Sequence, residues 1–108
     1  MKLLMIFVVL FSIAGNSLAA GGLSKNTITK VSFNSKGFYL TADDWNNPSD
    51  CSNSKSVVLL NSDANYDKAY ALLLAAFMSG KQVSGYSNGC VDHDGKTYNT
   101  IRGYKYLV

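Results

Sequence analysis

The chain has 108 residues, ten Lys and Arg against seven Asp and Glu, one His and two Cys. A formal charge of +3, with the cations scattered singly, argues against a nucleic-acid binder, which gathers Lys and Arg on one face. The length allows one small domain and leaves little core to stabilise it.

Residues 1–19 read as a cleavable secretory signal. Lys2 supplies the positive start, residues 3–14 (LLMIFVVLFSIA) the apolar run, and Ser17-Leu18-Ala19 the small residues a signal peptidase reads. A run of about a dozen residues is shorter than the roughly 20 a membrane span needs. Export to the periplasm or beyond is therefore expected, with residues 20–108 as a single domain. Lys2 leaves with the signal, so nine Lys and Arg face seven Asp and no Glu. That balance says little about partners.

Residues 27–33 (TITKVSF), rich in β-branched side chains, predict a first strand. Asn34 to Gly37 predict a turn and residues 38–41 the returning strand. Residues 42–55 form a polar loop holding the only Pro and the only Trp. Residues 56–60 (SVVLL) predict a third strand buried on both faces. Ser62 or Asp63 is placed to cap a helix over 64–79, with Asp67 in its first turn and Gly80 as its left-handed stop. Residues 82–87 predict a fourth strand, and residues 97–108 a long fifth one bent near Gly103.

Three strands, a helix and two strands describe a mainly β domain. A five-stranded OB-fold-like small barrel, in the order β-β-β-α-β-β, fits that series and removes exposed edges. Cys51 and Cys90 both fall in the exported part. An even count in an oxidising compartment predicts a disulfide, worth ~4 kcal/mol in the chain-entropy account.

On a helical wheel Tyr66, Ala69, Tyr70, Leu73 and Phe77 share the face that covers the sheet. Residues 69–78 hold no polar residue, so the opposite face is Ala71, Leu72, Ala75 and Met78, with Lys68 as its nearest charge. Small side chains there admit a second helix at close range, which marks a candidate oligomer interface. An Ala-rich face simply left in water is the alternative.

The stretch Leu72-Leu73-Leu74-Ala75-Ala76-Phe77-Met78-Ser79-Gly80-Lys81-Gln82-Val83, followed by Tyr86 and Gly89-Cys90, resembles small exported bacterial proteins similar to B subunits of the subtilase cytotoxin type. The likeness covers roughly the C-terminal half. It implies an OB-fold, a disulfide through the Gly-Cys cysteine, homopentameric rings with helices around a central pore, and glycan binding on the outer surface. It also brings a toxin A subunit into view as a partner. No sugar-binding residue carries over by position.

Three further motifs carry chemistry. Asp92-His93-Asp94-Gly95 reads as a solvated turn, since adjacent residues diverge, the spacing is not that of an EF-hand, and no positioned nucleophile accompanies it. Asp44, Trp45 and Asn46 form a candidate glycan platform, a ring for stacking flanked by hydrogen-bonding groups. The competing reading tucks Trp45 under its loop near Cys51 as local core. Tyr98, Tyr104 and Tyr106 read as barrel packing before they read as a stacking surface for single strands. The sum is a non-enzymatic exported binding module, without metal or cofactor, that recognises glycans as an oligomer. Its rival is a periplasmic structural or interaction protein that docks a different protein through the helix.

Overall fold

A computed structural model describes residues 20–104 and 107–108, so the signal reading of residues 1–19 and the reading of Tyr106 lie outside the described residues. The elements run β1 (Gly21–Thr27), β2 (Lys30–Asn34), β3 (Gly37–Thr41), β4 (Asn53–Leu60), α1 (Tyr66–Ser79), β5 (Gln82–Ser87), β6 (Cys90–His93) and β7 (Lys96–Thr100). A mainly β domain with one helix is what the sequence implies. The five expected strands, however, are seven, and they form two sheets instead of one closed barrel. The larger sheet has the order β2-β3-β4-β7-β6, and β1 pairs with β5 in a second sheet.

The extra strands arise where expected ones are interrupted. The strand placed over 27–33 is split at Ile28 and Thr29, where Ile28 turns into the core, 5% exposed. Asn88 and Gly89 separate β5 from β6. Of the residues Asp92-His93-Asp94-Gly95 read as a solvated turn, Asp92 and His93 end β6, and Asp94 and Gly95, at φ 52° and 79°, join it to β7. Two successive positive φ values give the turn whose twist suits a tight hairpin. The long final strand stops at Thr100.

Most of the larger sheet is antiparallel, but β4 and β7 run parallel. Pairing of Phe38 with Leu59 and of Leu40 with Val57 puts these four side chains on the core face. Gly37 makes this approach possible: its φ is 151°, and a Cβ there would strike the Leu59 carbonyl oxygen. On the other face Tyr39 lies against Tyr98, edge to face at 5.2 Å.

α1 covers the core with Ala69, Leu73 and Ala76 buried and Tyr66, Tyr70 and Phe77 partly so. It begins two residues later than the capping pattern suggests. Asn65 is the N-cap without a side-chain bond, and Asp63 instead accepts from the Asn65 N–H at 2.8 Å. Gly80 ends the helix in the left-handed region at φ 73°. Burying Leu73 completely contributes about 1.5–3 kcal/mol, so packing rather than capping holds α1 in place.

Candidate functional site

One cleft of about 380 Å³ opens where the ends of β4 and β7 meet the β5–β6 turn. Leu60, Val91 and Ile101 give it apolar lining, and Ser62, Asp63, Asn88 and Arg102 give it polar lining. Hydrogen bonds to the sheet and its flanking backbone hold Asp63, Asn88 and Arg102. The Ile101 N–H donates to the Val58 carbonyl at 2.9 Å and the Arg102 N–H to the Tyr86 carbonyl at 3.0 Å. The Asn88 N–H donates to Thr100 Oγ1 at 3.1 Å. Asp63 Oδ2 accepts from the Gly103 N–H at 2.9 Å, which ties the chain after β7 to the approach to α1. Arg102 Nη1 donates to Asn88 Oδ1 at 2.9 Å, and its guanidinium carbon lies 4.7 Å from the centre of the Tyr104 ring.

Behind this cleft Cys51 and Cys90 form a disulfide, their Cα atoms 5.7 Å apart. Cys51 is buried while Cys90 is exposed and lines the cleft. A buried amide network braces the same wall. Asn99, fully buried, accepts at Oδ1 from the Ser49 N–H and from Ser87 Oγ, and donates from Nδ2 to Asn47 Oδ1. Asn47 in turn accepts from the Cys51 N–H at 2.8 Å and donates to the Cys51 carbonyl at 2.9 Å. The Gly89 N–H donates to Ser87 Oγ. The disulfide and the amides thus tie the 47–51 loop to β6, β7 and the end of β5 from two sides.

The loop of Asp44, Trp45 and Asn46 is placed differently from a sugar platform. Trp45 is 6% exposed within the core cluster, and its Nε1 donates to the Leu40 carbonyl at 3.4 Å. Its ring is therefore not available for stacking, which is the local-core alternative. Asn46 accepts from the Ser24 N–H at 2.8 Å and donates to the Gly22 carbonyl at 2.9 Å, so its amide is engaged in holding β1. The Asp44 carbonyl accepts from Ser24 Oγ. These residues are anchors of the loop.

The candidate interface residues Lys68, Ala71, Leu72, Ala75 and Met78 all point away from the sheet and are exposed. Leu72 is 45% exposed and Met78 75%. Phe33 on the edge strand β2 is also exposed, while its ring contacts Phe38 and Tyr70 at 5.1 and 5.5 Å. His93 Nε2 lies 3.5 Å from Asp94 Oδ2 on the hairpin, and its ring is 6.2 Å from Tyr39. The Tyr39 hydroxyl is buried and among the described residues makes no hydrogen bond of good geometry. Burial raises its pKa, with the Asn34 side chain pulling the other way and Tyr98 and Asp94 adding smaller rises. Burial likewise raises Tyr66, helped by Tyr70 and Asp67.

Among the described residues no group of three or more His, Cys, Asp or Glu could hold a metal ion. No helix among them is long and apolar enough to cross a membrane. Sequence reasoning missed Asn99, Ser87 and the Asn88–Arg102 pair. Asn99 had a signal: it stands two residues before Ile101, at the alternation position of a core side chain. Asn88 and Arg102 are fourteen positions apart and meet only through the fold. Compared with known proteins, the chain matches no family model, no curated protein and no solved structure.

Proposed function

We propose that the chain is an exported, non-enzymatic binding module, similar to toxin B subunits, that assembles through α1 and recognises glycans. The row of Leu72 and Met78, 45% and 75% exposed beside the small Ala71 and Ala75, carries this reading. A large apolar side chain exposed singly is ordinary, but two on one helix face with small residues between them form a docking stripe. The disulfide is compatible with an oxidising compartment.

The strand connections support an OB-fold as the scaffold. Counting β1 with β2, and β5 with β6, as two bent strands gives five. Their order in the larger sheet becomes 1-2-3-5-4, and β1 bonded to β5 links the first strand to the fourth. The parallel pair β4 and β7 is then the third with the fifth, and α1 sits between the third and the fourth. These connections support reading the scaffold as a partly open OB barrel.

The test pairs light scattering on the purified protein with a glycan array. The wild type is expected to run as an oligomer, a ring of five on the resemblance, and to bind at least one glycan class. Leu72→Lys with Met78→Lys is expected to give a folded monomer, because both side chains are already exposed and such changes cost within about 0.5 kcal/mol. A monomeric wild type that binds no glycan sinks the proposal. An oligomer indifferent to both substitutions removes α1 from the interface.

A further inference from the structure

The cleft beside Cys90 has the size of a small-ligand site, and its polar groups are directional. Its volume, about 380 Å³, falls in the ~300–1,000 Å³ range of small-molecule sites. Arg102 is the only arginine of the chain, and among the described residues it makes no ion pair with a carboxylate. One of its five N–H donors goes to Asn88 Oδ1, and its plane rests beside the Tyr104 ring. The guanidinium is thereby oriented before any ligand arrives, which lowers the entropic cost of binding. The Asn88 amide nitrogen makes no hydrogen bond among the described residues and stands exposed at the rim.

We propose that this cleft, and not the Asp44–Trp45–Asn46 loop, binds one neutral pyranose unit, with Arg102 and Asn88 donating to adjacent hydroxyl oxygens. The proposal rests on the glycan-binding reading above. The ligand class follows from what shares the cleft. Asp63 stands on the same lining as Arg102 and, among the described residues, accepts from two backbone N–H groups, so one negative and one positive group balance. A phosphate or carboxylate would meet the Asp63 charge, whereas hydroxyl groups both donate to a carboxylate and accept from a guanidinium. Leu60 and Val91, both half-buried, offer the apolar contact that the C–H face of a pyranose seeks. The Cys51–Cys90 disulfide and the Asn99 network hold the Asn88–Cys90 wall in register with the segment after β7.

The experiment titrates the purified protein with methyl glycosides of glucose, galactose and mannose, with N-acetylneuraminic acid and with inorganic phosphate. Amide shifts in ¹H–¹⁵N spectra locate the site. A neutral glycoside is expected to shift amides at Asn88, Val91 and Arg102. Arg102→Met should weaken that binding about tenfold or more, as loss of a charged donor does, and Asn88→Ala, which removes a neutral donor, about two- to tenfold. Their thermal midpoints and oligomeric state should stay those of the wild type, and Asn46→Ala, if it folds, should bind as the wild type does. Asn88→Ser serves as the second rim variant should Arg102→Met unfold. Glycan binding that leaves the cleft amides unmoved, that survives both rim substitutions, or that selects only the charged probes overturns the assignment while leaving the binding module intact. No binding to any glycoside or glycan overturns the underlying reading instead.

Discussion

Replacing Asn99 by Ala tests whether buried amides, rather than the disulfide alone, hold the wall of the cleft. The side chain is fully buried and serves Ser49, Ser87 and Asn47. Asn47 Oδ1 keeps the Cys51 N–H, and Ser87 Oγ keeps its contacts with Gly89, so each of those losses is near ~0.5 kcal/mol. The Ser49 N–H loses its acceptor inside a residue that is 4% exposed, at ~1–3 kcal/mol. The sum is about 2–4 kcal/mol. For a domain of this size that lowers the thermal midpoint by roughly 10–25 °C. Urea denaturation followed by circular dichroism measures it. The same substitution in a Cys51→Ala/Cys90→Ala background should cost more, with a coupling of about 0.5–3 kcal/mol, because each tether limits how far the loop escapes when the other is cut. A loss below ~1 kcal/mol, or strict additivity with the disulfide, refutes the idea that the two act on one wall.

Two further outcomes follow from single positions. The Tyr39 phenol has its folded pKa raised by burial, so its stabilising effect is intact below the ordinary phenol value near ~10 and fades as pH climbs through the higher folded value. An absorbance titration should show Tyr39 ionising late, and Tyr39→Phe should remove that step at a stability change within about 1 kcal/mol; a larger loss would mean the hydroxyl has a partner. Gly37→Ala should cost about 2–4 kcal/mol in a thermal melt, since φ 151° and the Leu59 carbonyl both oppose a Cβ, and a neutral result would show that β3 and β4 do not approach as closely as described.

Local chemistry made part of this fold readable. The Ala- and Leu-rich run with Gly80 behind it specifies α1 to within two residues at its start, and the alternation over 82–87 matches β5. Cys51 and Cys90 pair as their number required. What escaped depends on distance along the chain. The break at Ile28 and Thr29 follows from the demand that Ile28 turn inward, a tertiary demand with no Gly or Pro to announce it. Asp94-Gly95 does carry a hairpin signal, but in its setting among Asp92 and His93 it reads as a solvated turn without strands on either side. Trp45 shows the limit of reasoning by residue type: flanked by Asp and Asn it has the composition of a sugar platform, yet its neighbours bond to β1 and its ring is drawn into the core. Arg102 is one of the singly scattered cations in the sequence, and only the fold brings Asn88 and Tyr104 beside it.

The parallel pairing of β4 with β7 governs the order in which the chain can mature. Residues 57–60, Val-Val-Leu-Leu, leave synthesis with β3 available on one side, whereas their other partner lies some forty residues downstream, around Asn99 and Thr100. Until then an apolar strand stands with an open edge, the feature that recruits other chains in aggregation. Closing such a distant contact carries the loop-entropy cost that slows folding. Completion of the sheet is therefore a late, C-terminal event, and a chain truncated before β7 is expected to precipitate rather than persist as a smaller folded unit. The residues that finish the sheet also carry Arg102 and Ile101 into place, so the cleft comes into being only when folding is complete.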